Sequence, residues 1–461
     1  MKNNIILSLA VALIGVMSLA LPAKSNSDAS ASTAESVRLR VDVDRTVLPA
    51  ESPERAVVKI GLECLQLPRR DLRPPINLAL VIDRSGSMAG DKIARAREAA
   101  LEAVRRLAPD DIVALIAYDT SVQTLVSAQR VGDGRRLESA ICRLEVGGNT
   151  ALYGGVTRGA AEIRRNLEDR RYINRVILLS DGLANVGPSS PDELARLGTA
   201  LGREGISVTT IGLGLGYNED LMTRLAQRSD GNTYFVEHSG DLSRIFAAEL
   251  GDVLNVVARR VVIEIDFPAG VRPLRFVGRE GVIRGQRAEL TLNQLYGGQE
   301  KFALVEVDVS PSRAGAEIEI ARARVSYEDA LSQRATTLSA RRSVHFSESR
   351  AVVVKSADHK VQADYAANVI AVAKDEAIAL VDSNRRDAAA AVLRERSEEL
   401  QKLADTYGNA AVGQVARAAA PAAAKVERDG LDNAERKSFR AEAAQTLNQQ
   451  SSGGDSGSGR R

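Results

Sequence analysis

The stretch NLALVIDRSGSM, at Asn77–Met88, decides the fold of this chain. A continuous apolar run ends at Asp83, and a short loop then presents Ser85 and Ser87 before a helical pattern begins. Such a run is typical of a strand that is buried on both faces of a parallel sheet. Ligands of open α/β sheets bind beyond the carboxyl ends of the strands. This loop is therefore a candidate site that offers one carboxylate and two hydroxyls.

Strand and helix patterns alternate from Ile76 to Val257, which predicts an α/β domain at residues 76–257 with a doubly wound, mostly parallel, Rossmann-like sheet. The predicted strands are Ile76–Asp83, Ile112–Tyr118, Thr124–Ser127, Ile173–Ser180, Ile206–Ile211 and Asn232–Val236. The predicted helices are Lys92–Leu107, Arg135–Leu144, Tyr153–Asn166, Pro191–Arg203, Glu219–Arg228 and Asp241–Asn255.

The segments on either side of this domain follow a period of two residues, which is typical of β-strands. Val37–Val43 and Ala56–Leu62 are two such runs, and two strands are too few to fold alone. Similar runs recur after residue 257, at Val261–Phe267, Phe302–Val309, Ile318–Tyr327 and Ser343–Phe346. The termini of an α/β domain often lie close together, so such a domain can be inserted into another. We therefore predict that residues 37–72 complete a β-sandwich formed by residues 258–350.

The C-terminal part of the chain is predicted to be helical. Residues 355–410 contain two helical stretches within Asp358–Leu403, joined by the polar turn DSNRR, which predicts a helical hairpin. Residues 411–461 are predicted to be a helical and disordered tail, because the chain becomes alanine-rich and ends in SSGGDSGSGRR.

Residues 1–23 are predicted to be a secretory signal peptide, followed by a linker at residues 24–36. Lys2 precedes an apolar stretch from Ile5 to Leu21, and small residues follow near Ala23. We expect an exported protein that is periplasmic, bound to the cell envelope or secreted. The apolar stretch is slightly long for a signal peptide, so an uncleaved anchor is the alternative. No later run approaches the length of a membrane span, which predicts no stable transmembrane segment after cleavage.

The composition disfavours a nucleic-acid partner, because 62 Lys and Arg are balanced by 60 Asp and Glu. Two cysteines, Cys64 and Cys142, do not make a disulfide framework. The favoured interpretation is two small buried side chains, since Cys64 ends a predicted strand outside the domain that contains Cys142. A bridge between them is the alternative.

Two further stretches are predicted to meet the opening one. Ile177–Gly182 (ILLSDG) is another apolar run that ends in an acid, Asp181, and the glycine-rich loop Gly147–Leu152 presents Thr150. In a doubly wound sheet with strand order 3-2-1-4-5-6, the first and fourth strands are neighbours. Asp83 and Asp181 are therefore expected to face one crevice.

Together these side chains resemble the metal-ion-dependent adhesion site of von Willebrand factor type A domains. The resemblance covers about Ile76–Asn255, and Tyr217–Val236 (YNEDLMTRLAQRSDGNTYFV) is typical of the bacterial and inter-alpha-trypsin-inhibitor-heavy-chain-like branch. Every position of the motif is present, namely Asp83, Ser85, Ser87, Thr150 and Asp181.

The resemblance implies a role for each of these residues. Ser85 and Ser87 would bind the metal directly, and Thr150 would bind it directly or through water. Asp83 and Asp181 would bind it largely through water, and a partner would supply the last ligand, usually a carboxylate.

The chemistry of the residues agrees with this interpretation. All five side chains offer oxygen, which suits a hard cation, and octahedral Mg²⁺ keeps several waters in such sites. Three neutral hydroxyls leave much of the ionic charge uncompensated, so the ion stays attractive to an incoming carboxylate. Mg²⁺ is the first choice, followed by Mn²⁺ and Ca²⁺. Each loop alone would more often be a helix cap or a turn.

Other patterns in the chain do not predict a site. Gly212–Gly216 (GLGLG) follows a predicted strand but lacks the spacing of a dinucleotide-binding loop, so we expect a flexible turn. The histidines His238, His345 and His359 lack zinc-ligand spacing.

The leading functional hypothesis is an exported, non-enzymatic adhesion module that binds a carboxylate on a protein or surface partner through its metal ion. One alternative is a scaffold or regulatory subunit of an envelope complex, like the calcium-activated chloride-channel-like proteins. A less favoured alternative is a metal-dependent hydrolase, because the sequence offers no nucleophile and base pair and no second metal cluster.

Overall fold

The computed structural model describes residues 36–66 and 73–450. The predicted signal peptide, nearly all of the predicted linker and the Gly/Ser-rich end of the chain lie outside the described residues, so these remain predictions. Within the described part, no helix is both long enough and apolar enough to cross a membrane.

Three strands begin the described chain and precede the α/β domain in sequence. They are β1 (Val37–Val43), β2 (Val47–Pro49) and β3 (Glu54–Cys64).

The α/β domain alternates strands with helices as predicted. Its strands are β4 (Ile76–Asp83), β5 (Ile112–Tyr118), β6 (Val122–Arg130), β7 (Ile173–Ser180), β8 (Ile206–Leu213) and β9 (Thr233–Val236). Its helices are α1 (Asp91–Arg105), α2 (Arg135–Cys142), α3 (Leu152–Arg164), α4 (Pro191–Arg203), α5 (Glu219–Arg228) and α6 (Leu242–Val253).

The sheet of this domain has the order β6-β5-β4-β7-β8-β9. All neighbours are parallel except β6, which is antiparallel to β5. Every residue of β4 is buried, because α1, α2 and α6 cover one face and α3, α4 and α5 cover the other. This arrangement is the predicted 3-2-1-4-5-6 order, and it makes β4 and β7 neighbours at the centre of the sheet.

Antiparallel strands follow the α/β domain and form a sandwich with the first three strands. They are β10 (Val256–Asp266), β11 (Val271–Val277), β12 (Val282–Arg284), β13 (Arg287–Tyr296), β14 (Glu300–Val309), β15 (Glu317–Asp329) and β16 (Ala335–Ser347). One sheet has the order β1-β3-β14-β11, and the other has the order β12-β13-β10-β15-β16-β2. Both sheets contribute to one apolar core, in which Ile60 and Ile263 are fully buried. The predicted fold class, an α/β domain inserted in a β-sandwich, is confirmed.

A buried polar network joins the α/β domain to the sandwich. Arg175 of β7 is fully buried and donates to Gln294 Oε1 of β13 at 2.8 Å and to the Tyr296 hydroxyl. Its guanidinium lies 3.8 Å from the carboxylate of Glu249 on α6, which is also fully buried. The network compensates two charges that would otherwise be costly to remove from water.

The C-terminal part contains more helices than the predicted hairpin. They are α7 (Arg350–Lys355), α8 (His359–Asp382), α9 (Arg386–Tyr407), α10 (Ala410–Asp429) and α11 (Asn433–Leu447). The hairpin corresponds to α8 and α9, which pack on the sheet of β3 and β14. The alanine-rich segment that resembles low complexity is helical because its alanines are buried, as Ala416 and Ala423 show.

The two cysteines are free thiols, so no bridge joins them. Cys64 is buried at the end of β3, as expected, but Cys142 is exposed at the end of α2. The expectation of burial was therefore wrong for Cys142, because it ends the helix on the side away from the core residues Leu137 and Ile141.

Candidate metal centre

Two acids end the neighbouring strands β4 and β7. Asp83 is the last residue of β4, and Asp181 follows the last residue of β7. The Asp83 carboxylate accepts hydrogen bonds from the Ser85 amide at 2.8 Å and from the Ser180 hydroxyl at 2.7 Å. Burial raises the pKa of Asp83 above its ordinary value, and the hydrogen bonds from Ser180 and Ser85 offset part of that rise.

The loop after β4 presents two hydroxyls at the same place. Ser85 Oγ and Ser87 Oγ lie 3.1 Å apart, and Ser87 Oγ donates to Asp181 Oδ1 at 2.6 Å. A single 3-10 turn at Gly86–Met88 makes this possible by folding the loop back on itself. Ser87 therefore connects the ends of the two strands.

The third hydroxyl comes from the loop between α2 and α3. The Gly147 amide donates to the Arg84 carbonyl at 2.8 Å, and the Gly86 amide donates to the Gly148 carbonyl at 3.0 Å. Gly148 has a φ of +64°, a conformation that other residues rarely adopt. Thr150 is buried, and its amide donates to the Asn185 side chain at 2.8 Å.

The three hydroxyls converge on one small space in front of Gly182. A Cβ atom at Gly182 would lie 3.0 Å from Thr150 Oγ1, 3.3 Å from Ser87 Oγ and 3.8 Å from Ser85 Oγ. Glycine leaves this space free. The structure thus brings all five predicted residues together at the carboxyl edge of the sheet.

Sequence reasoning missed two features of the site. The Lys92 ammonium in the first turn of α1 lies 2.5 Å from Asp181 Oδ2. The glycine-rich loop after β8 also borders the site, since a Cβ at Gly216 would lie 2.7 Å from the Asp181 carbonyl oxygen. Their positions in the sequence could have indicated both features. Lys92 lies at the start of the helix after the site loop, and Gly214–Gly216 follows a strand of the same sheet.

The donor set fits a hard divalent cation. It consists of three neutral hydroxyls and two carboxylates, all of them oxygen donors. Among residues 36–66 and 73–450, no group of three or more His, Cys, Asp or Glu side chains is close enough to hold a metal. A cation at this site would therefore depend on the three neutral Ser and Thr oxygens as well as on the two carboxylates.

The sheet order and the five clustered side chains define a von Willebrand factor type A domain. Residues 77–248 match the model of that family, so this part of the chain is a von Willebrand factor type A domain, and the predicted resemblance is confirmed over these residues.

Relatives match about half of this chain. An uncharacterized protein of Synechocystis sp. is 29% identical over 58% of this chain and 65% of its own length. The uncharacterized protein YfbK of Escherichia coli is 26% identical over 49% of this chain and 40% of its own length. Human inter-alpha-trypsin inhibitor heavy chain H3 is 26% identical over 48% of this chain and 26% of its own length. The alignments therefore span less than two thirds of each relative.

Solved structures show the same fold over more than the α/β domain. A von Willebrand factor type A protein from Catenulispora acidiphila superimposes with a TM-score of 0.63 at 19% identity, covering 82% of this chain and 88% of that one. The ArnB paralog VWA2 from Sulfolobus acidocaldarius gives a TM-score of 0.59 at 16% identity, covering 89% of this chain and 98% of that one. Since the family model matches only residues 77–248, this coverage includes the surrounding domains.

Proposed function

We propose that this protein is an exported binding module that holds one divalent cation and takes a carboxylate of a partner protein as the last ligand. The observation that carries the proposal is the convergence of the Ser85, Ser87 and Thr150 hydroxyls on the space in front of Gly182. Two carboxylates at the ends of neighbouring strands complete the donor set.

In this proposal Ser85 and Ser87 bind the cation directly, and Thr150 binds it directly or through water. Asp83 and Asp181 hold it largely through water. The cation, when bound, supplies a positive charge that attracts an external carboxylate. Mg²⁺ is the first choice because it keeps several waters in such sites, and Mn²⁺ and Ca²⁺ follow.

The hydrogen bonds of the site support binding over catalysis. The Asp83 carboxylate accepts hydrogen bonds from Ser85 and Ser180, and the Asp181 carboxylate accepts hydrogen bonds from Ser87 and Lys92. In the described part of the chain, no imidazole forms a hydrogen bond with any of these carboxylates. We therefore propose a non-enzymatic role.

Export is proposed from the signal-peptide pattern of residues 1–23. N-terminal sequencing of protein recovered from cell fractions tests it. A mature chain that begins near residue 24 in an extracytoplasmic fraction is expected, and a full-length cytoplasmic chain would contradict export.

Calorimetric titration of the full chain with Mg²⁺, Mn²⁺ and Ca²⁺ tests the metal centre. We expect Ser85→Ala and Thr150→Ala each to weaken cation binding by about tenfold or more, because each removes a proposed ligand. Ser189→Ala is a matched control, since this exposed serine lies in the loop after the site and its hydroxyl has no hydrogen-bond partner among the described residues. Unchanged affinity in both test variants would overturn the proposal.

A further inference from the structure

Exposed apolar side chains are concentrated in the loops of the metal centre. Seven large apolar residues are exposed in the described part of the chain. Three of them belong to loops that build the candidate site, namely Val146 (41% exposed), Leu183 (59%) and Leu215 (44%). Single exposed apolar residues are ordinary, but several around one polar site mark an interaction surface.

Each of these residues is next to a backbone group that touches the centre. Val146 precedes Gly147, whose amide donates to the Arg84 carbonyl. Leu183 follows Gly182, in front of which the three hydroxyls converge. Gly147 is thereby held beside Arg84, which precedes Ser85, and Leu183 is two residues from Asp181, so both apolar residues lie in loops that carry site residues.

Leu215 lies in a third loop beside the centre. It lies between Gly214, where a Cβ would be 3.7 Å from Lys92 Nζ, and Gly216, where a Cβ would be 2.7 Å from the Asp181 carbonyl oxygen. The three residues, Val146, Leu183 and Leu215, therefore lie in three loops beside the centre, and we call them the apolar rim.

The C-terminal helix α11 holds the Leu215 loop in place. Asn433 Nδ2 donates to the Leu215 carbonyl at 3.0 Å, and Lys437 Nζ donates to the Tyr217 carbonyl at 2.7 Å. Lys437 is buried and also pairs with Glu219, the first residue of α5. A loop that is already ordered loses little conformational entropy when a partner binds.

Charge and apolar surface together define the chemistry of the partner. Lys92 adds a positive charge beside Asp181, and its side chain is 35% exposed. We infer that the apolar rim selects a protein segment in which an aspartate or glutamate is flanked by large apolar side chains. This inference rests on the proposed function. The carboxylate completes the cation's ligands, and its apolar neighbours cover the rim, as in the apolar centre of a protein interface.

Two peptide probes test this inference with the full chain. N-acetyl-Leu-Asp-Leu-amide and N-acetyl-Gly-Asp-Gly-amide carry the same carboxylate but differ in their apolar neighbours. Ligand-observed NMR titrations in Mg²⁺ and in EDTA give their affinities. We expect the leucine peptide to bind about tenfold more tightly in Mg²⁺, because its leucine side chains are transferred from water to the apolar rim.

Variants separate the rim from the metal centre. Leu183→Ser combined with Leu215→Ser should abolish the preference for the leucine peptide and leave Mg²⁺ affinity unchanged. Val282→Ser combined with Val352→Ser is the matched control, because these residues are 51% and 48% exposed in strand β12 and helix α7. The control should keep the preference.

The possible failures are distinguishable. Equal binding of both peptides in Mg²⁺ would overturn the inference that the rim selects apolar neighbours, and it would leave the proposed metal-dependent function unaffected. Failure of both peptides to bind in Mg²⁺ would overturn the proposed function and the rim together. A third outcome is that the wild type self-associates, that the rim variant does not, and that neither peptide is preferred. The rim would then bind a second copy of this chain, and the inference of a separate protein partner would be overturned.

Discussion

The Lys92 ammonium lies 2.5 Å from Asp181 Oδ2 at the edge of the candidate metal centre. The other oxygen of the same carboxylate accepts a hydrogen bond from Ser87 at 2.6 Å. Lys92 therefore already supplies a positive charge to one of the two acids that a divalent cation would use. A bound cation and Lys92 would repel each other, so we predict that Lys92 lowers the affinity of the proposed site for the metal.

Removal of this charge should strengthen metal binding. We expect Lys92→Met to raise the Mg²⁺ affinity about fivefold, or ~1 kcal/mol, because the cation no longer faces a nearby ammonium across a partly solvated gap. Calorimetry at low and high salt measures the effect, which should shrink as salt screens the charge. Arg95→Met, at an exposed position on the same helix, is the control. Equal affinities of Lys92→Met and the wild type would show that Lys92 does not compete.

A methyl group at Gly182 should close the metal centre without unfolding the protein. Its Cβ would lie 3.0 Å from Thr150 Oγ1, in the space where the hydroxyls converge. We expect Gly182→Ala to lose Mg²⁺ binding and to keep its thermal unfolding temperature in EDTA. Gly240→Ala is the control, because a Cβ there would meet no atom within 4 Å. Full Mg²⁺ affinity in Gly182→Ala would place the cation elsewhere.

The buried Arg175 should be essential for stability. We expect Arg175→Leu to lower the free energy of unfolding by ~3–5 kcal/mol, because Glu249 then remains buried without its cation. The double variant Arg175→Leu/Glu249→Leu should lose less free energy of unfolding than the two single variants lose in sum. Urea unfolding measures both. Arg171→Leu should leave stability nearly unchanged, since its pair with Asp169 is exposed. A similarly small loss for Arg175→Leu would contradict the prediction.

Lys301 should make stability depend on alkaline pH. Burial, and then the neighbouring Arg279, lowers the pKa of Lys301 from 10.5 to about 8. Between these values the unfolded chain binds more protons than the folded one, so stability rises with pH. The free energy of unfolding should increase by ~1 kcal/mol from about pH 8 to pH 9.

The measurement is the difference between the wild type and Lys301→Met in urea unfolding at several pH values. Taking this difference removes the contributions of other titrating groups. One of these is Cys64, because burial raises the pKa of its thiol to about 12. A wild type and a Lys301→Met variant with the same pH dependence would contradict the depressed pKa of Lys301.

The two thiols should react at very different rates. Cys142 is exposed and Cys64 is buried, and the whole chain has two cysteines. We expect a disulfide reagent to label one thiol rapidly in the folded protein and the second only on unfolding. Cys142→Ser should remove the rapid phase, and Cys64→Ser should retain it. Rapid labelling of Cys142→Ser would show that the Cys64 environment opens.

The sequence was most informative where one local pattern determines the outcome. Apolar runs that end in an acid or a hydroxyl predicted the carboxyl ends of β4 and β7, and a period of two separated the sandwich strands from the helices. The strand order then brought Asp83 and Asp181 to one edge of the sheet, since parallel neighbours end at the same edge.

Features that depend on distant packing were not predictable in this way. Lys92 was recognised only as the start of a helix, because its pairing with Asp181 depends on how α1 packs over the sheet. The docking of Asn433 and Lys437 beside β8 joins segments more than 200 residues apart. In α10 several of the buried positions are alanines within an alanine-rich stretch, so the composition alone did not distinguish a packed helix from a low-complexity tail.

The pairing of β3 with β14 has a consequence for synthesis of the protein. Val58 pairs with Val305 and Ile60 with Ala303, so the early strand leaves the ribosome long before its partner exists. All strands of the α/β domain are made in the interval, which at ~5–20 residues per second lasts on the order of ten to fifty seconds. The nascent chain therefore carries the apolar residues of β3 without the strand that pairs with them while a complete domain is made behind it. Until residue 309 emerges, we expect this segment to be prone to aggregation.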